Sequence, residues 1–184
     1  METIAQIVSK DKNILLLDYP FDELKIKQQM FFKTPEEEMN VRMNNLKDII
    51  KIFNEENILY WLQGKTLLGL YKNKRLIEND HDEDIGTDIK NLDIVARKII
   101  PKLESIGFVV IRCPKDNSMV SVIRDWRYID ICFFKHRGRK YGYQKKFFPA
   151  KYYQSYTTIE IDDFEYKIPT YTKDIIKFSY NITV

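Results

Sequence analysis

The alternation of apolar and polar positions along the chain predicts a succession of short strands and helices. NILLLDYP at 13–20 has the form of a short strand ended by Pro20, and a polar connector follows to Lys33. From Thr34 the pattern predicts a helix to about Asn54. Thr34 can cap it, Pro35 suits its first position, and Glu36, Glu37 and Glu38 place negative charge at its positive end. Met43, Leu46, Ile49, Ile50 and Phe53 then recur at helical spacing. ILYWLQ at 58–63 reads as a buried strand broken by Gly64, and Thr66 to Lys72 can start a short helix. EDIGTDI at 83–89 is a second strand. NLDIVARKIIPKLESIG at 91–107 is a helix with a kink or boundary at Pro101.

FVVIRC, SMVSVIR and RYIDICFF are three further strands, the first two parted by the turn residues Pro114 to Asn117, and together they predict a meander. After a basic stretch, TTIEI and FEYKI flank an Asp-Asp turn, and a closing helix is expected near Thr172 to Tyr180. No internal repeat or low-complexity linker breaks the series. The expected fold class is α/β (α+β), a mixed or largely antiparallel sheet flanked by helices, in a single domain over 1–184 with 1–33 as an N-terminal appendage.

Composition narrows the field. A chain of 184 residues with 44% apolar and 31% charged positions suits one folded domain and excludes a disordered or collagen-like one. Thirty basic and 27 acidic residues leave a net charge of +3, too balanced for a nucleic-acid coat or a membrane-surface binder. No apolar run approaches the roughly 20 residues that span a bilayer, and METIAQIVSKDK lacks the apolar stretch of a secretory signal, so the cytoplasm is the default location. Cys113 and Cys132 both lie in apolar strands and read as packing residues, without a disulfide framework or zinc site.

The chemistry is concentrated between Glu78 and Asp93, where seven carboxylates face one basic residue, Lys90. Residues two apart in a strand share a face, so Asp82 and Asp84 would crowd like charges together unless a cation lies between them. Carboxylate oxygens suit Mg²⁺ or Mn²⁺, which take their remaining ligands from water and substrate phosphates. Asp130 interrupts an apolar strand and qualifies as a third ligand. Its plainer reading is a strand cap or a partner of Arg127 or Arg112, as a solvated acidic loop or Ca²⁺ site is for Asp80 to Asp84. Upstream, the Gly64 turn opens a helix whose N–H groups, with Lys65 and Thr66, can receive a phosphate; the plainer reading of Gly64 and Gly69 is a turn and a close packing contact. The spacing is not that of a P-loop.

Taken together, WLQGKTLLGLYKNKRLIENDHDEDIG resembles the signature of the LicD/fukutin family, a branch of the nucleotidyltransferases. Gly64, Thr66 to Gly69, Lys72, and Asp80, Asp82 and Asp84 followed by Ile85 fall into place without a gap. Phe148-Pro149, Ile168-Pro169 and the terminal aromatic Tyr180 extend the likeness over about 58–181. Lys65 replaces a small residue, Lys72 an Arg and Asn79 a Trp. Glu83 is charged where the family has an apolar residue, which would suit a strand that starts one residue later or lies at an edge.

The resemblance implies a nucleotidyltransferase-like fold with Asp82, Asp84 and Asp130 as catalytic, metal-binding residues. Gly64, Lys65 and Thr66 would cradle phosphate and Lys72 would bind substrate, with Mg²⁺ or Mn²⁺ as cofactor; His81, beside the carboxylates, reads as a substrate-orienting residue. The donor it implies is a CDP-alcohol of the CDP-choline or CDP-ribitol type, the acceptor a glycan hydroxyl. Transfer of NMP from an NTP to a small molecule or protein would use the same site.

The basic stretch from Lys135 to Lys151, with Tyr141, Tyr143, Phe147 and Phe148 interleaved, suits a mobile flap over an anionic substrate, a solvated loop, or nucleic-acid contacts. The last would make the chain a binding module with structural carboxylates; beside an acidic face, nucleic acid is not the expected partner. His136 has no assigned role.

Overall fold

The computed structural model describes residues 31–184, so the strand expected at 13–20 and most of the expected appendage lie outside the described residues. Helix α1 (Pro35–Glu55) starts where the sequence predicts, its cap formed by the Thr34 hydroxyl accepting the Glu37 N–H at 3.1 Å. Strand β1 (Trp61–Gln63) is shorter than expected, and just before it the Leu59 carbonyl accepts the Thr87 hydroxyl at 2.7 Å. Helix α2 (Gly64–Asn73) follows directly, then β2 (Asp82–Asp88).

A 3₁₀ turn and the short α3 (Leu92–Ile94) lead into a π turn at Val95–Ile99 and α4 (Ile100–Ser105). Pro101 therefore sits in the first turn of α4, directly after the π turn, at the boundary that the sequence predicts. The predicted meander is β3 (Val109–Arg112), β4 (Met119–Arg124) and β5 (Arg127–Arg137).

The basic stretch is not a loop but a regular ribbon. β5 continues into antiparallel β6 (Lys140–Tyr143) and β7 (Lys146–Pro149), with Tyr141, Tyr143 and Phe148 buried beneath the outward lysines and arginines. A separate hairpin of β8 (Tyr156–Ile161) and β9 (Phe164–Pro169) turns at Asp162-Asp163, and α5 (Thr172–Tyr180) closes the chain.

The main sheet runs β1-β2-β5-β4-β3, with β2 and β5 parallel and the other neighbours antiparallel. It is thus mixed, as expected. Alternation divides β2 between two faces. Glu83 points toward α1, whereas Asp82, Asp84, Gly86 and Asp88 occupy the opposite face. Contrary to the reading of Glu83 as a sign of an edge or a later start, β2 begins at Asp82 and is an interior strand.

Helix α1 makes that possible. Arg42, itself buried, reaches Glu83 Oε1 with Nε at 2.6 Å and the Ile77 carbonyl with Nη1 at 2.9 Å. Burial still pushes the Glu83 carboxyl up to about 7, against the pull of Arg42. Around this pair Leu46, Ile49, Ile50 and Phe53 of α1 join the core with Ile85, Ile129 and Ile131 of the central strands.

Breaking a buried pair from one side strands the other charge, at a cost of about 3–5 kcal/mol. Arg42→Met is expected to lower the urea midpoint accordingly with an unchanged m-value. A loss under about 1 kcal/mol would mean that Glu83 is held neutral and gains little from the guanidinium.

Candidate active site

The site is a polar row that crosses five strands. Pairing aligns Gln63 of β1 with Asp84 of β2, Asp84 with Asp130 of β5, Asp130 with Ser121 of β4, and Ser121 with Arg112 of β3. Directly paired residues share a face, so these five side chains line up on the side away from α1. Asp82, two residues before Asp84, stands beside the row, opposite Tyr128. One oxygen from each of Asp82, Asp84 and Asp130 lies within 4.8 Å of the others.

Arg112 enters the row through a bulge. Val110 pairs with Val122, yet it is Arg112 rather than Ile111 that pairs with Ser121, so one extra residue rotates the guanidinium onto the carboxylate face. There Arg112 Nη2 donates to Asp130 Oδ2 at 2.6 Å and Nε to Ser121 Oγ at 2.9 Å, while the Ser121 hydroxyl donates to Asp130 Oδ1. Arg127, the other partner considered for Asp130, is an odd number of residues away on the same strand and pairs with Glu38 of α1. Asp130 therefore both joins the carboxylate cluster and pairs with Arg112.

The Gly64 turn forms the opposite wall. Gly64 has φ +62°, and a Cβ there would overlap the Asp84 carboxylate, whose Cγ would lie only 3.2 Å away. The Asp84 N–H donates to the Thr66 hydroxyl at 2.9 Å, which ties β2 to the first turn of α2. That helix has no side-chain cap, so its first N–H groups are not consumed by one.

A cavity of about 390 Å³ opens over the row, with Gly64, Lys65, Asp80, Lys146 and Tyr180 around its rim. Lys65 bonds Asp80 Oδ1 at 2.8 Å, a contact that raises its pKa. Burial is the first cause that raises the carboxyls of Asp82, Asp84 and Asp130 above the ordinary range. For Asp84 the next are the charges of Asp82 and Asp130; for Asp130 the nearby Arg112 pulls the other way. Three crowded, desolvated hard oxygens at the floor of an open cavity fit a divalent cation such as Mg²⁺ or Mn²⁺.

Gly64, Lys65, Asp82, Asp84 and Asp130 all line this cavity. Thr66 does not: it is buried, and its hydroxyl is engaged by Asp84 rather than turned to the opening. Lys72 is exposed on the last turn of α2, outside the lining, and His81 also stands outside it, its carbonyl accepting Arg127 Nη1 at 3.4 Å. Arg112, Ser121, Lys146 and Tyr180 were missed as site residues. The sequence offered Arg112 as a partner of Asp130, Tyr180 as a terminal aromatic and Lys146 within the basic stretch, whereas Ser121 is a lone hydroxyl in an apolar strand.

Thr66→Val would leave the Asp84 N–H without its acceptor, and is expected to lower stability by about 1–3 kcal/mol, with Thr66→Ser losing much less. Urea denaturation of the three proteins measures this; equal losses would assign the effect to the methyl group instead.

The comparisons agree with this architecture. The uncharacterized protein RP689 of Rickettsia prowazekii (strain Madrid E) is 34% identical over 65 residues, 35% of this chain and 24% of that protein. The uncharacterized protein RT0683 of Rickettsia typhi (strain ATCC VR-144 / Wilmington) is 26% identical over 121 residues, 59% of this chain and 37% of that protein. The chain thus matches about a quarter to over a third of the length of these relatives.

Among solved structures, the lincosamide antibiotic adenylyltransferase LnuA, lincomycin-bound, superposes with TM-score 0.54 at 19% identity, covering 74% of this chain and 84% of LnuA. The antibiotic-resistance factor ANT(2'')-Ia gives 0.52 at 13% identity, covering 75% and 69%. Both likenesses establish the fold expected from the sequence. The model of the LicD/FKTN/FKRP nucleotidyltransferase domain matches residues 57–171, from the approach to β1 to the end of β9, and this chain belongs to that family.

Proposed function

We propose that this chain is a metal-dependent transferase that cleaves a phosphoanhydride of a nucleotide-activated donor. The observation that supports it is the convergence of Asp82, Asp84 and Asp130 beside the uncapped start of α2 in one open cavity. In the sharpest form the donor is a CDP-alcohol of the CDP-choline or CDP-ribitol type, and the acceptor a glycan hydroxyl. Asp82, Asp84 and Asp130 would hold Mg²⁺ or Mn²⁺, which when bound neutralises charge on the donor phosphates.

The chain's own groups then divide the remaining work. Lys65, Lys146 and the first N–H groups of α2 receive the negative charge of the transferred phosphoryl group. Asp130, oriented by Ser121 and Arg112, accepts the proton of the attacking hydroxyl. The hydroxyl oxygen bonds to the phosphorus of the phospho-alcohol, the anhydride bond breaks, and its electron pair leaves on CMP. A second reading, NMP transfer from an NTP with pyrophosphate as leaving group, draws support from the adenylyltransferase among the structural neighbours. No helix among the described residues is long and apolar enough to cross a membrane, and we place the reaction in the cytoplasm.

Asp84→Asn and Asp130→Asn are expected to reduce transfer at least ~10³-fold and to abolish the rise in Tm that Mg²⁺ and nucleotide together give the wild type. Without metal, in EDTA, Asp84→Asn should melt about 2–4 °C above the wild type, because it relieves like-charge crowding of roughly 1 kcal/mol. CDP-alcohols and NTPs labelled in each half show which part reaches product. Undiminished Mg²⁺-dependent nucleotide binding in both variants would sink the proposal.

A further inference from the structure

A second cavity, of about 310 Å³, adjoins the first. Gly64, Lys146 and Tyr180 line both, while Phe147, Phe148 and Phe178 line only the second. Phe178 lies on α5 with its ring centroid 5.5 Å from that of Phe148, tilted by 53°, and remains 57% exposed. Helix α5 does not need it for anchorage, since Thr172, Ile175 and Ile176 are the side chains it buries. One exposed aromatic is ordinary; one that forms a wall of a cavity continuous with the carboxylate cluster has a use for its free face.

We infer that this annex is the subsite for the nucleobase of the donor, stacked on the free face of Phe178; the inference rests on the nucleotide reading above. Three features select that occupant. The shared residues Gly64 and Lys146 lie where the phosphate end of the donor would be, so a base linked through ribose reaches the annex without leaving the molecule's surface cleft. The exposed ring of Phe178 on α5 is backed by the buried Phe148 of β7, a platform suited to a flat π-system. The volume is at the low end for a small-molecule pocket and suits one nucleoside rather than a glycan chain.

The test uses the full chain with Mg²⁺ in isothermal titrations of pyrophosphate, CDP, UDP, ADP and GDP. Pyrophosphate reads the phosphate site alone, and the nucleotides read both. At least one nucleoside diphosphate should bind about tenfold or more tighter than pyrophosphate. Phe178→Ala should bring that nucleotide to within about twofold of pyrophosphate and leave pyrophosphate unchanged, while Phe178→Trp keeps the preference and Phe178→Leu loses it.

A wild type that binds pyrophosphate as well as every nucleotide overturns the subsite while leaving the phosphate reading standing. So does a Phe178→Ala variant that keeps the preference, or one that loses only acceptor-dependent turnover. A wild type that binds none of the five in the presence of Mg²⁺ overturns the nucleotide reading and the subsite with it.

Discussion

The structure is organised around the confinement of like charges to one face of β2 and β5. Asp82, Asp84 and Asp130 bring oxygens within 4.8 Å of one another in a setting that favours their neutral forms. Such a cluster persists only if every neighbouring group is fixed. Two of the three carry restraints of their own. Asp84 is tied through its N–H to Thr66 and fits against a turn that tolerates only glycine. Asp130 is held by Ser121 and by an arginine that a bulge has rotated into place.

Strand β2 shows how a single acidic segment can meet several fates. Glu83, facing α1, is matched by the buried Arg42 and serves packing. Asp88, at the strand's far end, accepts the Tyr141 hydroxyl at 2.7 Å and the Lys90 N–H at 2.9 Å. Asp82 and Asp84 have no arginine or lysine of comparable closeness among the described residues; Lys65 closes on Asp80 and Arg112 on Asp130 instead. The shortage of cationic partners at these two positions is what separates a site from a folded acidic strand.

Much of this was legible in the chain. Period-two spacing placed Asp82 and Asp84 on one face, and the capping signals of α1, the meander and the β8–β9 hairpin were each carried by local residues. Gly64 was readable as the turn between strand and helix, though not the reason only glycine fits there. Non-local facts were not legible. Whether Asp130 would face the pair depends on β2 and β5 lying parallel and in register, which no short segment encodes. Arg112 required a bulge, and nothing in FVVIRC marks one. Glu83 was misread as an edge signal because its partner lies 41 residues away on α1. The basic stretch misled for a related reason: its charge suggested a loop, whereas its buried Tyr141, Tyr143 and Phe148 alternate with it as a ribbon should.

The same face carries an apolar counterpart to the charged row, and the two depend on each other. Trp61 pairs with Gly86, where a Cβ would overlap the indole, and its ring packs against Phe134 at 5.1 Å, Tyr156 at 5.2 Å and Tyr153 at 5.6 Å. Cys132, paired with Gly86 across the sheet, is fully buried and donates its thiol toward Asp84 Oδ1 at 3.8 Å, its own ionisation suppressed first by burial and then by Asp84. This wall excludes water from one flank of the carboxylates, which raises the cost of their charge and strengthens every interaction they make with a cation. A wetter flank would relax the carboxylates and weaken the hold proposed for them on a divalent ion. The aromatic packing two residues along β2 is therefore part of what makes the acidic cluster a site.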